Sequence, residues 1–269
     1  MSTPSTEADL AEFITSFELG SAEPTIKHEA KRTLINLLAV SLSASQHETA
    51  LALFNLIDEE GGNPRASVIS KKSKTSIYQA AFTNGYLAHL QDFDDTHFPT
   101  VLHPSAPVWP AVLAAGQALN SSGAEVLEAG IIGLEIACRA AMSVHPWHYD
   151  MGWHITGTAG VFGAAAGAAR LLGLSKSETI QALGLAGTQS AGIRETFGTA
   201  GKPMHAGHAA ASGVNSALLV KNGLNGPTTI FSGRRGWWAV LSPNGHDSEK
   251  MTSNLGQDKH PLTRLASFD

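Results

Sequence analysis

The chain has little charge, a single cysteine and no excess of basic residues. Of its 269 residues, 15% are charged, whereas soluble domains average roughly 25%. Disordered chains are charge-rich and apolar-poor, so a composition with 43% apolar residues indicates a folded protein. The lone Cys138 excludes a disulfide scaffold and fits a reducing compartment. A formal net charge of −5 lacks the basic footprint of nucleic-acid binding, so we expect no nucleic-acid partner.

A long, strongly apolar run is also absent. The most apolar stretch, residues 157–174, contains Arg170 and many small residues, whereas a membrane span needs about 20 strongly apolar residues. This stretch therefore predicts a buried helix, and we expect no membrane partner. Residues 1–10 are polar and acidic, without the basic segment and apolar core of a secretory signal, so we expect a cytoplasmic protein.

No segment alternates apolar and polar residues as a half-buried strand does; apolar residues recur at helical spacing instead. We therefore expect an all-α fold. Ser122 and Ser175 each stand three residues before a glutamate, the capping-box pattern of a helix start. The 27 glycines favour closely crossed helices. The composition turns polar towards the C-terminus, which predicts a helical domain over 1–240 and a polar tail, or the start of another domain, over 241–269.

Most of the 12 histidines lie between the predicted helices, where binding and catalytic residues concentrate. The first such segment runs from Asp92 to His97 and is followed by His103. Its three carboxylates within four positions repel one another, so they need a cation, a histidine network or solvent, and their pKa values could be raised. The alternatives are a solvated helix end and a D-x-D-x-T phosphatase nucleophile, although that motif should follow a strand and here follows a predicted helix. A calcium loop of EF-hand type fails because His97 stands where glycine is required.

The second segment, residues 152–160, carries His154 between glycines that let the backbone approach a ligand closely. Gly157 and Thr158 open a helix of small residues whose free N-terminal amides suit an anion. A helix entry with a buried histidine is the alternative. A zinc site is disfavoured, because neither a nearby cysteine ligand nor an HExxH spacing supports it.

The third segment, residues 197–208, places Lys202 directly before Pro203, a residue type that often starts a helix. It is not a phosphate-binding P-loop, which requires Ser or Thr after the lysine. A lysine at the positive end of a helix is poorly placed for stability, so we expect an anionic partner. The alternative is an exposed lysine on a turn.

Taken together, these segments resemble the MmgE/PrpD family, which includes 2-methylcitrate dehydratase, cis-aconitate decarboxylase and iminodisuccinate epimerase. Their order and spacing agree with the family over residues 10–238. The matching pieces are Asn84-Gly85, Asp92-Phe93-Asp94-Asp95-Thr96, His103-Pro104-Ser105, Gly152-Trp153-His154, Thr156-Gly157-Thr158, Phe197-Gly198-Thr199, Lys202-Pro203, His205-Ala206-Gly207 and Gly226-Pro227.

The resemblance implies a large all-α domain, a homodimer, no metal or organic cofactor, and a small polycarboxylate substrate. The site residues it implies are catalytic Asp92, His103, His154 and Lys202, with Thr96, Thr158 and His205 binding substrate. An extra residue before His103 leaves Asp94 or Asp95 as alternatives to Asp92. Family members continue into a second, smaller α+β domain, and we expect that domain to be missing from this chain.

The chemistry that the resemblance implies is proton removal next to a carboxylate. Lys202 and a protonated His103 would hold substrate carboxylates more strongly as negative charge builds up, while His154 or an aspartate moves the proton. We expect a cofactor-independent lyase of the 2-methylcitrate dehydratase type. A cis-aconitate-type decarboxylase, an iminodisuccinate-type epimerase and a non-catalytic helical dimerisation module are the alternatives.

Overall fold

The computed structural model describes residues 5–256 and 265–266, and these residues are mostly helical. The prediction of an all-α fold is confirmed, with short strands as the exception. The helices are α1 (Thr6–Ser16), α2 (Pro24–Ala44), α3 (Glu48–Glu60), α4 (Ile77–His89), α5 (Ser105–Leu119), α6 (Gly123–Val144), α7 (Trp147–Asp150), α8 (Ile155–Leu171), α9 (Lys176–Gly187), α10 (Lys202–Lys221), α11 (Trp237–Leu241) and α12 (Glu249–Thr252).

Four strands of two residues each form two antiparallel pairs in the described part of the chain. They are β1 (Ala66–Ser67), β2 (Lys74–Thr75), β3 (Thr96–His97) and β4 (Leu265–Ala266). Ala66 pairs with Thr75 across β1 and β2, and Thr96 pairs with Ala266 across β3 and β4. The β3 pairing holds the backbone extended directly after the three aspartates.

Local chemistry explains where several helices begin. The hydroxyl of Ser122 accepts a hydrogen bond from the amide of Glu125, whose carboxylate accepts one from the Ser122 amide. The same reciprocal capping box starts α9 at Ser175. Both predicted capping boxes are therefore confirmed. Pro203 stands in the first turn of α10, where its missing N–H costs nothing.

Small residues let the central helices cross at close range. A Cβ on Gly163 of α8 would lie 2.4 Å from the carbonyl oxygen of Gly133 in α6, and a Cβ on Gly207 of α10 would lie 2.4 Å from that of Phe82 in α4. Real Cβ atoms do not approach so closely, so these backbones touch because glycine has no side chain. The predicted close crossing of helices is present, and it brings the ends of α4, α8 and α10 together.

Residues after 240 pack back against α6 as far as the structure describes them. The buried guanidinium of Arg139 pairs with Glu135 at 2.6 Å and donates to the carbonyl oxygens of Ser253 and Asn254. Met251 is fully buried. Residues 257–264 and 267–269 of the predicted tail lie outside the described residues, so the division of the chain at 240 stays a prediction.

None of the helices in the described part of the chain combines the length and apolar character needed to cross a membrane.

Candidate active site

Four helix ends carry the histidines and the lysine of the site. His103 lies two residues before α5, His154 is the N-cap of α8, Lys202 is the first residue of α10, and His89 is the last residue of α4. The ring centroid of His89 lies 4.6 Å from that of His103 and 5.4 Å from that of His154. Helix N-termini present free amides and partial positive charge, so three of these four ends favour an anionic ligand.

Asp94 bridges two histidines inside the protein. Its carboxylate oxygens lie 2.9 and 3.0 Å from Nδ1 of His89, and one of them lies 3.3 Å from Nδ1 of His103. Burial alone would raise the pKa of Asp94, but the two imidazoles outweigh burial and hold that pKa well below its usual range. The expectation that crowding raises the carboxylate pKa values is therefore wrong for Asp94, since its partners are histidines.

The pKa values of the two histidines on Asp94 are shifted in opposite directions. Burial lowers the pKa of His103, but attraction to Asp94, its hydrogen bond and the nearby Asp92 outweigh burial and raise that pKa. For His89, burial is the stronger effect, and its pKa is lowered in spite of Asp94. The site thus holds a histidine that favours its charged form beside one that favours its neutral form.

Asp95 points to a different environment. It is fully buried, and burial raises its pKa to about 7, partly offset by Ser105 beside it. Within the described residues, neither of its oxygens has a hydrogen bond of normal geometry. Thr96 follows on β3, with its hydroxyl 3.4 Å from Nδ1 of His103. The structure therefore places Thr96 beside His103 and keeps Asp95 away from solvent.

Asp92 is the aspartate that reaches solvent. Its side chain is 54% exposed, and Oδ1 lies 2.5 Å from Nζ of Lys202. The same oxygen lies 3.8 Å from Nε2 of His103. Lys202 also sits over the ring of Phe197, 5.0 Å from its centroid. Asp92 is thus the anion that faces Lys202, and a ligand carboxylate would compete with it for the same ammonium group.

A cavity of about 330 Å³ opens over this ion pair. Ligand pockets typically measure 300–1,000 Å³, so the cavity suits a small molecule. Its lining comes from the start of α3, the end of α4, the loop before α10 and the first turn of α10: His47, Thr49, His89, Leu90, Gln91, Asp92, Gly198, Thr199, Ala200, Lys202 and Pro203.

His154 is held by a second histidine. Its Nδ1 lies 2.9 Å from Nδ1 of His205, and its ring forms a T-shaped pair with the ring of Phe197. Burial lowers the pKa of His154, and the neighbouring histidines and Lys202 lower it further. Burial likewise lowers the pKa of His205.

Thr158 lies apart from this group. It is fully buried, and its hydroxyl is 2.7 Å from Nε2 of His148. The structure therefore brings together six of the seven predicted site residues and places Thr158 behind His154. A substrate-binding role for Thr158 stays a prediction, as do the roles of the other six.

The chain matches a known protein family over most of its length. A family model described as the MmgE/PrpD N-terminal domain matches residues 8–249.

The chain belongs to the MmgE/PrpD family.

Curated relatives agree with this assignment. The chain is 27% identical to the cis-aconitate decarboxylase-like protein oryM of Aspergillus oryzae, over 93% of this chain and 55% of the relative. It is 34% identical to the cis-aconitate decarboxylase of Homo sapiens, over 61% of this chain and 35% of the relative. It is 30% identical to the cis-aconitate decarboxylase of Aspergillus terreus, over 73% of this chain and 43% of the relative. The chain thus spans about half the length, or less, of these MmgE/PrpD relatives.

Sequence reasoning missed His89 in this MmgE/PrpD site and left the choice among the three aspartates open. His89 is the last residue of α4. The one sequence signal was its spacing, three residues before Asp92 and five before Asp94, since a helix end can turn back on the loop that follows. Only the fold shows that Asp94 turns inwards and Asp92 outwards.

Four side chains of this MmgE/PrpD site are close enough together to hold a metal ion. His89, Asp92, Asp94 and His103 each offer one ligand atom, and these atoms lie within 4.8 Å of one another. Nitrogen and carboxylate donors of this kind suit zinc. In the structure, Asp94 is already hydrogen-bonded to His89 and lies 3.3 Å from His103, and Asp92 is already paired with Lys202. The absence of a metal from this site stays a prediction.

Proposed function

We propose that the chain forms the substrate-binding part of a cofactor-independent lyase that decarboxylates a small unsaturated tricarboxylic acid of the cis-aconitate type. The observation that carries the proposal is that Oδ1 of Asp92 lies 2.5 Å from Nζ of Lys202 and 3.8 Å from Nε2 of His103, and that Asp92 and Lys202 line a cavity of about 330 Å³. Three relatives named above are called cis-aconitate decarboxylases or decarboxylase-like, which favours decarboxylation over the dehydration first expected.

Binding follows from charge. A substrate carboxylate replaces Asp92 on Lys202, and a second carboxylate lies against the charged imidazole of His103. Both groups lie at helix N-termini, whose partial positive charge adds to the attraction. Lys202 needs no rearrangement to bind this carboxylate, because Asp92 already holds its ammonium group at the cavity, with Nζ of Lys202 2.5 Å from Oδ1 of Asp92.

The reaction breaks one C–C bond and forms one C–H bond. Carbon dioxide leaves, and the electron pair moves through the neighbouring double bond to the carbon beside another carboxylate. Lys202 stabilises the negative charge that develops on that carboxylate. His103 is the proton donor, because Asp94 at Nδ1 raises its pKa and so favours its charged form, while Nε2 is left for the substrate. The tricarboxylate and one proton thus give a dicarboxylate and carbon dioxide.

The test is an assay of the purified chain with cis-aconitate and, separately, with 2-methylcitrate. Carbon dioxide release and product formation are followed by NMR, and tricarboxylate binding by calorimetry. We expect decarboxylation of cis-aconitate, at the same rate after treatment with EDTA. Lys202→Met should abolish both binding and turnover, and Lys221→Met, at the far end of the same helix, should change neither.

Other outcomes assign other functions. Loss of water from 2-methylcitrate without carbon dioxide release from cis-aconitate would replace decarboxylation by dehydration. Absence of binding to either acid would refute the proposal and support a non-catalytic helical module instead.

A further inference from the structure

We propose that His47 binds the third carboxylate of the substrate, the one that leaves as carbon dioxide. The inference rests on the proposed function, because it assigns a further subsite in the same cavity. Lys202 and His103 account for two of the carboxylates of a tricarboxylic acid. The third also needs a hydrogen-bond donor from the protein, since taking a carboxylate out of water without one costs free energy.

Packing at the corner between α2 and α3 brings His47 to the cavity. Ala44 at the end of α2 and Ala50 in the first turn of α3 form a fully buried cluster with Leu87 of α4. The backbone of His47 is fixed between them, because its amide donates to the Ala44 carbonyl oxygen at 2.9 Å and its carbonyl oxygen accepts the Ala50 amide at 3.0 Å. His47 therefore lines the cavity together with Lys202 of α10.

The helix cap determines which nitrogen of His47 carries a hydrogen. His47 is the N-cap of α3, and its Nδ1 accepts the amide of Thr49 at 3.2 Å and lies 3.0 Å from the Thr49 hydroxyl. A backbone amide can only donate, so Nδ1 supplies a lone pair and the neutral ring has its hydrogen on Nε2. Both hydrogen bonds of the ring with the described residues use Nδ1. The exposed imidazole thus offers Nε2–H to a ligand in the cavity.

Two hydroxyl groups that line the cavity are engaged within the protein. Thr199 donates to the carbonyl oxygen of Thr196 at 2.7 Å and accepts the amide of Gly201 at 3.1 Å. The hydroxyl of Thr49 lies against Nδ1 of His47, which has a lone pair to receive its hydrogen. Each hydroxyl has one hydrogen, so neither has one left for a substrate carboxylate.

Two other polar side chains of the lining are less suitable than His47. The imidazole of His89 directs Nδ1 at Asp94, which accepts its hydrogen, so Nε2 of the neutral ring is bare. Gln91 directly precedes Asp92, whose place the first carboxylate takes. The imidazole of His47, which comes from α3, is therefore the donor for the third carboxylate.

A neutral donor suits a carboxylate that leaves. The negative charge of this group disappears as carbon dioxide forms, so a cation beside it would stabilise the bound substrate more than the transition state. A hydrogen bond from Nε2 of His47 holds the group with less of this effect. No bond to the ring forms or breaks, and its hydrogen stays on Nε2. Lys202 and His103 face the carboxylates that remain in the product.

Calorimetry with two matched acids tests the subsite. Tricarballylate has the three carboxylates of the substrate but no double bond, so it cannot decarboxylate in the same way. Methylsuccinate is the same acid without one end carboxylate. His47→Ser should weaken tricarballylate binding about tenfold, the effect of one hydrogen bond to a charged group, and leave methylsuccinate binding nearly unchanged. In the decarboxylation assay the variant should raise KM for cis-aconitate without lowering kcat.

The variant and its control are chosen to preserve the fold. Serine is a good helix N-cap, so His47→Ser keeps the cap of α3 and loses the imidazole. His28→Ser is the control, because His28 is exposed on α2 and is not part of the cavity lining. It should bind both acids as the wild type does, and circular dichroism checks that both variants fold. With ¹⁵N-labelled histidine, long-range ¹H–¹⁵N spectra should show the hydrogen of His47 on Nε2.

Several results would overturn the subsite. They are a hydrogen on Nδ1 of neutral His47, unchanged tricarballylate binding in His47→Ser, and equal weakening of both acids, which would indicate a structural effect. Weaker tricarballylate binding in Gln91→Ala but not in His47→Ser would assign the third carboxylate to Gln91 instead. If the wild type binds neither acid, the proposed function fails and the subsite fails with it. If the wild type binds both and His47→Ser changes nothing, the subsite alone fails.

Discussion

Replacing Asp94 by Asn tests how much the buried bridge contributes to stability. The change keeps the shape of the side chain and removes its charge. The imidazoles of His89 and His103 both direct Nδ1 at the carboxylate, but an asparagine offers one acceptor oxygen and a donor amide. One buried N–H therefore loses its partner, and His103 loses the counterion that raises its pKa.

The expected loss is about 3 kcal/mol in the free energy of unfolding at pH 7. Removing one member of a buried pair costs roughly 3–5 kcal/mol, and an unpaired buried donor costs about 1–3 kcal/mol. The lower end applies because His103 can release its proton once Asp94 is gone. Asp92→Asn is the matched control, two residues away; its side chain is 54% exposed, and surface pairs contribute about 0–1 kcal/mol.

The assay is urea unfolding followed by tryptophan fluorescence, for both variants and the wild type. The folded pKa of Asp94 lies below its unfolded value, so its contribution is full above the unfolded pKa and is lost as the pH falls. The gap between wild type and Asp94→Asn should therefore narrow below about pH 4. If Asp94→Asn unfolds at the same urea concentration as Asp92→Asn, Asp94 does not bridge the histidines as described.

Three further predictions concern binding, packing and assembly. Tricarboxylate affinity measured by calorimetry should fall as the pH rises through the raised pKa of His103, because the charged imidazole holds a carboxylate; a flat profile up to pH 9 would contradict this role. Gly184→Ala should destabilise the fold by about 1–3 kcal/mol in thermal unfolding, since its Cβ would lie 2.0 Å from the Pro227 carbonyl oxygen, while Gly123→Ala, with open space around it, should be neutral. We propose a homodimer whose interface includes the apolar face of α2, where Leu42 is 58% exposed; Leu42→Glu should then halve the mass seen by light scattering, and a monomeric wild type would argue against the interface.

The helices were predictable because their signals are local. A capping box involves residues three positions apart, so Ser122 and Ser175 mark the starts of α6 and α9 without knowledge of the fold. The glycines likewise predicted close helix crossings. The partners at each crossing were not predictable, because Gly163 of α8 meets Gly133 of α6 with the whole of α7 between them along the chain.

The site was only partly predictable. Loop segments rich in histidine and glycine pointed to Asp92, His103, His154 and Lys202, and resemblance to the family joined them. Their mutual distances come from the fold, since the ion pair between Asp92 and Lys202 closes over 110 positions of sequence. His89 escaped notice because its residue type and spacing look the same whether or not the helix end folds over the loop.

By itself, the sequence determined an all-α fold, the helix starts and the segments that carry the chemistry, because these depend on neighbours along the chain. The tertiary structure decided what each titratable group does. Asp92, Asp94 and Asp95 are nearly consecutive, yet one faces a lysine in solvent, one bridges two histidines, and one is buried with its pKa raised to about 7. Protonation depends on burial and on charges brought near in space, and distant helices supply both.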